Sequence, residues 1–280
     1  MAVKTTLPDV NSATLTVSPQ VEALLAQEKS RVTPLRVGLL LLAIAVLIYS
    51  AKVSDIRPLE LLQGGGTMSE YASRYFPPDF TDWRFYLADI IETIAMGVWG
   101  TLLAAVVAAP LSVFASENLC PPWLVQPTRR FMDIMRAINE IVFALMFVVA
   151  VGLGPFAGVL AIFVHTTGTL GKLFSEAVEN IEVGPIEGVR ASGASKFQEI
   201  LFGVIPQVMP LWISYTLYRF EANVRSAAVL GIVGAGGIGV SLYQSFRSFK
   251  YPKVCAILLI LVVAVSLLDV LSARLRRRVM

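Results

Sequence analysis

The chain has 280 residues, of which 56% are hydrophobic and only 15% charged, with a net charge of +3 and a mean hydropathy of +0.70. Soluble domains carry about 25% charged residues, so the deficit predicts a polytopic membrane protein, and so small a net charge gives no reason for a nucleic-acid partner. Two cysteines and one histidine are too few for a disulfide framework or a multi-histidine metal site, so no metal is expected.

Residues 1–33 are polar and rich in Ser, Thr and Val, with Lys4, Lys29 and Arg31; the first apolar run begins too late for a cleavable signal. Six spans are predicted, at 35–51, 86–116, 130–152, 156–181, 206–233 and 252–273. A hydrocarbon core of about 30 Å takes about 20 apolar residues, so the first run is a little short and the second too long for one straight crossing. Between them, residues 52–84 form a polar loop with Gly64-Gly65-Gly66, Pro77-Pro78 and the aromatics Tyr71, Tyr75, Phe76 and Trp83, which suit a membrane interface. The chain divides into a segment 1–33, the first span with its loop at 34–84, a main membrane domain at 85–275 with a loop at 182–205, and a basic tail at 276–280.

Six spans put both termini on one side. That side carries the N-terminal segment, Arg129, Arg130, Arg190, Lys196 and the closing Arg274, Arg276, Arg277 and Arg278. The other side carries Lys52, Arg57, Arg74, Arg84, Arg247, Lys250 and Lys253, diluted by acids in the long loop. The excess predicts cytoplasmic termini and a cytoplasmic 182–205 loop. Cys120 and Cys255 then fall on opposite sides and do not pair.

The polar stretch 187–206, EGVRASGASKFQEILFGVIP, interrupts the apolar runs. Phe197, Ile200, Leu201 and Val204 recur at helical spacing and give one apolar stripe. A glycine inside a helix costs about 1 kcal/mol relative to alanine, so two short helices are expected to meet at Gly193, with Pro206 opening the next span. An acid, a glycine six positions later and a proline thirteen beyond it (Glu187, Gly193 and Pro206) resemble the EAA loop of ABC importer permeases, in which an acid and two small residues begin the pattern. Gly188 fits the first small position; Val189 departs at the second. The resemblance implies contact with an ATPase through Glu187, Gly188, Arg190, Ala191, Gly193, Ala194, Ser195 and Pro206.

The run Gly234-Ala235-Gly236-Gly237-Ile238-Gly239 matches G-x-G-x-x-G, but no strand precedes it and the position 20 residues after Gly239 is Leu259, not an acid, which excludes a dinucleotide site. It reads as a closely packed turn, allowed near lipid only where protein or a cavity surrounds it. No G-x-x-x-x-G-K-[ST] occurs, so ATP-driven transport would need a separate subunit. Neither H-E-x-x-H nor G-x-S-x-G is present, which removes two membrane-protease patterns.

Charged groups within spans are costly and face a partner or a cavity. Asp133, Arg136 and Glu140 are spaced for one ladder beside Asn139, and Glu221 and Arg225 for an i, i+4 pair; both sets read as helix–helix glue. His165, Thr169, Lys172 and Glu176 share a stripe next to Thr166. Tyr215, Arg219, Asn223 and Ser226 share another, nearly opposite Glu221. Arg219 has no acid on its own stripe and lies about 20 Å from Pro206 by helical rise, past the centre of the span. Asn139, His165, Thr166, Thr169, Tyr215, Arg219, Asn223 and Ser226 are therefore candidates for a translocation path, with Glu140 a possible structural partner for Arg219.

The runs at 139–168, 175–179, 205–210, 218–227 and 233–239 are similar to the phosphonate-uptake permeases of the ABC importers, over roughly residues 58–280. The resemblance implies an all-α, type I (MetI-like) permease in the bacterial inner membrane. It implies a homodimer, two cytoplasmic ATPase subunits that bind ATP and Mg, and a periplasmic phosphonate- or phosphite-binding protein. It also implies an external gate at Gly234, Gly236, Gly237 and Gly239, and phosphonate or a related oxyanion as cargo. The chain itself is then no enzyme and holds no cofactor. The rival from the residues alone is an ion-coupled anion transporter using Glu221, Glu140 or His165 as a proton site.

Overall fold

The computed structural model describes residues 34–57, 60 and 64–279, and among these every regular element is a helix. The N-terminal segment 1–33 lies outside the described residues. The chain forms two compact units, 1–67 and 68–280. In the first, α1 (Pro34–Val53) is apolar along its length. It ends where Ile56 N–H reaches back to the Ala51 carbonyl, 3.1 Å. Arg57 then pairs with Asp55 and Glu60, each at 2.8 Å.

After α2 (Gly65–Ser73), the second unit is built on α3 (Trp83–Phe114). At 1.5 Å per residue this helix is about 48 Å long, so it exceeds a membrane core, as its sequence predicts. Next come α4 (Pro122–Ala137) and α5 (Glu140–Val151), where a single straight span was expected. They meet at 85°. The break has a local cause: Ile138 is extended, and the Asn139 side chain accepts the Ile141 N–H at 2.9 Å, capping α5 afresh. The predicted ladder therefore does not form. Asp133 holds Arg136 at 2.8 Å, while Glu140 turns away onto other helices.

The remaining elements are α6 (Pro155–Glu179), α7 (Val183–Ala191), α8 (Lys196–Gln198), a π turn (Glu199–Val204), α9 (Ile205–Leu230), a 3-10 turn (Gly231–Val233), α10 (Ile238–Arg247) and α11 (Tyr251–Val279). Pro206 was expected to start a span, but the helix already runs into it. Pro206 has no N–H for the carbonyl four residues back and its ring crowds that carbonyl. The ladder widens there to i→i+5, with Ile205 N–H on the Ile200 carbonyl. Likewise α11 runs on through the basic residues to Val279, where a tail was expected from 276.

Four helices are singly long and apolar enough to cross a membrane (Trp83–Phe114, Pro155–Glu179, Lys196–Val233 and Tyr251–Arg278); the bent pair α4–α5 makes a fifth, and Val37–Val53 is a shorter apolar helix. Six crossings thus require both of these to count.

The core lies where α3, α6 and α9 meet. Ala104 and Ala108 of α3 let Leu170 and Phe174 of α6 approach closely, and Phe174 stacks on Trp212 of α9, 4.7 Å between ring centres. A second cluster joins Met96, Ile162, Ala227 and Leu230, and a third joins Tyr86 and Ile90 to Ile257 of α11. The expected Glu221–Arg225 pair is absent. Both reach across to α11 instead: Arg276 lies 2.9 Å from Glu221 and Arg225 lies 3.0 Å from Asp269.

Helical rise fixes relative depth. Lys253 pairs with Asp82, so α3 and α11 start level. Asn223 bonds Thr101, 18 residues or about 27 Å along α3. Arg219 lies one turn further, toward the Gly193 end, near the level where Arg276 meets Glu221. Counted this way it lies on the Gly193 side of the Asn223–Thr101 bond, nearer that end of α3 than the Gly237 end, whereas the count from Pro206 had placed it past the centre toward the Gly237 end.

Candidate functional site

At the Gly193 end, α7 folds back over the π turn. Gly193 has φ +82, which glycine adopts freely. Ser195 caps α8 by accepting a backbone N–H while Gln198 accepts the Ser195 N–H at 2.8 Å. The expected apolar stripe divides: Val204 is buried and Ile200 half-buried, while Phe197 and Leu201 are exposed. Phe197 is 72% and Phe202 62% exposed, whereas Glu199 is buried. The acid is inside because Arg190 holds it with a two-pronged fork, Nε to Oε1 at 2.9 Å and Nη2 to Oε2 at 3.0 Å. These bonds hold the Glu199 carboxyl below its ordinary range. Glu187, Gly188, Ala191 and Ser195 are all exposed, as is Pro206 beyond the π turn. A cavity of about 430 Å³ lined by Val189, Ser192, Gly193, Ala194, Gln198 and Phe202 opens beside the turn.

The path candidates separate into two groups. Thr166 and Asn223 are buried and spent on each other: Thr166 Oγ1 donates to Asn223 Oδ1 at 3.1 Å, and Asn223 Nδ2 donates to Thr101 Oγ1 at 2.8 Å. This chain of bonds joins α6, α9 and α3. The second group lies at the α4–α5 break. Ser226 Oγ donates to Glu140 Oε1, and Glu140 Oε2 lies 3.3 Å from His165 Nε2. His165 Nδ1 meets the Ile138 carbonyl at 3.0 Å, and Thr169 bonds the His165 carbonyl at 3.2 Å. Asn139 is exposed beside them, and Tyr215 is half-buried against the Phe174 cluster. Arg219 is half-buried; its Nε is buried with no hydrogen-bond partner, and no carboxylate among the described residues forms a salt bridge with it. Lys172 pairs with Glu176 at 3.4 Å further along α6.

At the other end of α9, Gly234, Gly236 and Gly237 have φ of +88, +85 and +71. Glu92 Oε1 accepts the Gly237 N–H and Thr93 Oγ1 the Ile238 N–H, both at 2.8 Å, so an acid sits at the positive N-terminus of α10. Ser241 donates to Asp89, and Gly154 N–H to the Gly234 carbonyl at 3.0 Å. Glu92 is nine residues along α3, so the turn lies about 14 Å below the helix starts, and α10 climbs back out from it.

Residues 100–280 match the family described as the binding-protein-dependent transport system inner membrane component. The chain belongs to this family. It is 39% identical over 234 residues to the putative phosphite transport system permease protein HtxC of Stutzerimonas stutzeri, covering 83% of each chain. It is 64% identical over 118 residues to the putative cryptic phosphonate transport system permease protein PhnE2 of Escherichia coli K12, covering 42% of this chain and 97% of the other. A chain from the structure titled "Inward facing conformations of the MetNI methionine ABC transporter" superposes with a TM-score of 0.64 at 23% identity, covering 71% of this chain and 99% of that one; that likeness concerns the fold. The chain is thus an integral inner-membrane permease subunit of an ABC importer and not itself an enzyme; nucleotide binding lies in a separate ATPase.

Three groups of this permease escaped sequence reasoning. Asp89, Glu92 and Thr93 hold the glycine turn; an acid pair at i, i+3 inside an apolar run was the available signal, since a carboxylate in lipid needs a partner. Glu199 falls off the apolar stripe of 197–204, where a charge commonly faces water. Thr101 carried no signal, because a lone threonine in a span commonly bonds its own helix, as it also does here to the Gly97 carbonyl at 2.6 Å.

Proposed function

We propose that this permease carries phosphonate or a related phosphorus oxyanion such as phosphite across the membrane, as a homodimer driven by two ATPase subunits docked at residues 182–205. Glu187, Arg190 and the cavity beside Gly193 receive the ATPase, with Gly188, Ala191, Ala194 and Ser195 allowing close approach and Pro206 setting the π turn that orients the segment. Asn139, His165, Thr169, Tyr215, Arg219 and Ser226 border the path, while Thr166 and Asn223 hold its walls together. Gly234, Gly236, Gly237 and Gly239 form the external gate, facing a periplasmic binding protein. Both termini are cytoplasmic.

The observation that carries the cargo reading is Arg219, a guanidinium with a buried, unused Nε and no carboxylate in salt-bridge reach among the described residues. A planar donor fork matches a phosphorus oxyanion; the permeases matched over 83% and 78% of this chain are named for phosphite, and those matched over 42% and 55% are named for phosphonate. The test is ATP hydrolysis and uptake by the reconstituted complex with phosphonate, phosphite, phosphate ester and sulfate. Arg219→Gln is expected to leave assembly intact and to lower oxyanion uptake by about 10- to 100-fold, the equivalent of one charged hydrogen bond of about 1.5–3 kcal/mol. Uptake unchanged in that variant removes Arg219 from the path. Orientation is tested by reporters active only outside the cytoplasm: activity is expected near Gly65 and Ser248, and none near Trp123, Ser195 or after Met280.

A further inference from the structure

We infer that His165 and Glu140 hold a single proton between them and that this proton sets the charge of the cluster beside Arg219. The inference starts from the ring. His165 Nδ1 lies 3.0 Å from the Ile138 carbonyl, and a carbonyl only accepts, so Nδ1 carries a hydrogen. The neutral ring would then present a bare lone pair from Nε2 to Glu140 Oε2, 3.3 Å away. A lone pair facing an ionised carboxylate is repulsive, and turning the ring over would put carbon against both acceptors. A proton therefore lies between Nε2 and Oε2, as imidazolium with carboxylate or as neutral ring with carboxylic acid. Ser226 spends its hydroxyl hydrogen on Glu140 Oε1 and cannot supply the missing one.

The charged groups around this pair are few. On α4, Asp133 is shared between Arg136 at 2.8 Å and the exposed Arg130 at 3.6 Å, a net of one positive charge. On α6, Lys172 is paired with Glu176. On α9, Glu221 is held by Arg276 and Arg225 by Asp269, which leaves Arg219. With the proton in place, Glu140 and His165 sum to zero and Arg219 contributes one positive charge. Without it, the carboxylate cancels Arg219 and the cluster has none. The proton also ties α5 to α6 where Ile138 and Asn139 break the helix, so its loss weakens the clamp on the bend. Protonation and deprotonation exchange one proton with water, and no other bond changes. This cluster thus attracts an anion only in its protonated form; that functional half rests on the translocation reading above, while the proton itself does not.

The experiment exploits the fact that His165 is the chain's sole histidine. In the complete transporter in lipid nanodiscs, labelled with 15N-histidine, subtraction of the spectrum of His165→Gln isolates this ring. The expected result is an Nδ1–H ring that either shows the imidazolium signature or accompanies a carboxylic-acid infrared band lost in Glu140→Gln. Uptake should then fall as rising pH removes the shared proton. Glu140→Gln should flatten that component, leaving only whatever titration the oxyanion itself contributes. An Nε2–H tautomer, or a neutral Nδ1–H ring beside an ionised Glu140, overturns the shared proton. A shared proton with the same pH profile in wild type and Glu140→Gln overturns its role in uptake. Neither outcome touches the Arg219→Gln result, so the two readings fail separately.

Discussion

Two glycine turns flank the helical run Lys196–Val233, and they use the same backbone freedom for different ends. Gly193 has φ +82, and a Cβ built there meets nothing within 4 Å. Gly237 has φ +71, and a Cβ there runs into Thr93 and Met96; at neighbouring Gly236 it meets the Pro155 backbone. The first turn is shaped within the chain by the Arg190–Glu199 fork and the Ser195 cap, with its surface left open. The second is enclosed on every side by α3, α6 and α9. An open left-handed turn leaves room for another molecule, and an enclosed one fixes helices of its own chain.

The comparison breaks first at Gly239, where the largest effect is expected. A methyl there falls on the Ala228 carbonyl oxygen and the backbone of Gly231, neither of which can swing aside. Overpacking costs about 1–3 kcal/mol where side chains can adjust, and this site belongs at or above that upper end. Gly239→Ala should lower the yield of folded permease in detergent and depress its melting temperature sharply. A normally melting Gly239→Ala protein would mean the turn is looser than its contacts require.

Next is Glu92. Glu92→Ala strands the Gly237 N–H in a packed turn, which costs about 1–3 kcal/mol, while Glu92→Gln keeps an acceptor oxygen and loses only the favourable charge at the α10 N-terminus, about 0.3–1 kcal/mol. Thermal melting should rank wild type, Gln and Ala in that order. If Gln and Ala melt alike, the bond to Gly237 contributes nothing and the turn is held by packing alone.

The open turn should respond differently. Gly193→Leu places a β-carbon at positive φ, a strain of roughly 1 kcal/mol, with space for the side chain. The variant is expected to insert and melt within a few degrees of wild type yet lose co-purifying ATPase subunit and transport-linked hydrolysis. Intact assembly and uptake would detach the cavity beside Gly193 from ATPase docking.

How much of this was written in the sequence depends on the range of the interaction. The helices and both turns were legible because helical period and Gly/Pro punctuation are local. Ion pairs were legible only where partners share a helix: Asp133–Arg136 followed its i, i+3 spacing, but Glu221 and Arg225, spaced equally well, each chose a partner on α11. The α4–α5 bend was written in Asn139, an N-cap residue inside an apolar run, and was outweighed by the continuity of hydropathy around it. Glu199 shows the converse. Helical geometry gave its face correctly, but which face is buried depends on what folds over it, and α7 brings Arg190 there. The grouping of Asn223 with Arg219 on one stripe was sound as geometry and silent about Thr101, 122 residues away.

The smallest expected effect tests that last point. Thr101→Val keeps the shape of the α3 side chain and removes one acceptor. Asn223 retains its bond from Thr166, and only its Nδ2 donor loses a partner, so the cost should be about 1 kcal/mol, a shift of a few degrees at most. If Asn223 only fastens α9 to α3 and α6, Thr101→Val should lower the melting temperature slightly and leave the oxyanion concentration for half-maximal uptake unchanged. If Asn223 instead meets the cargo, freeing its amide changes what the path offers, and the half-maximal concentration moves while stability does not. The two readings predict opposite columns of the same pair of measurements. The fully buried Thr166–Asn223–Thr101 bridge favours the first, because an amide already bonded on both its ends has little left to offer a passing anion.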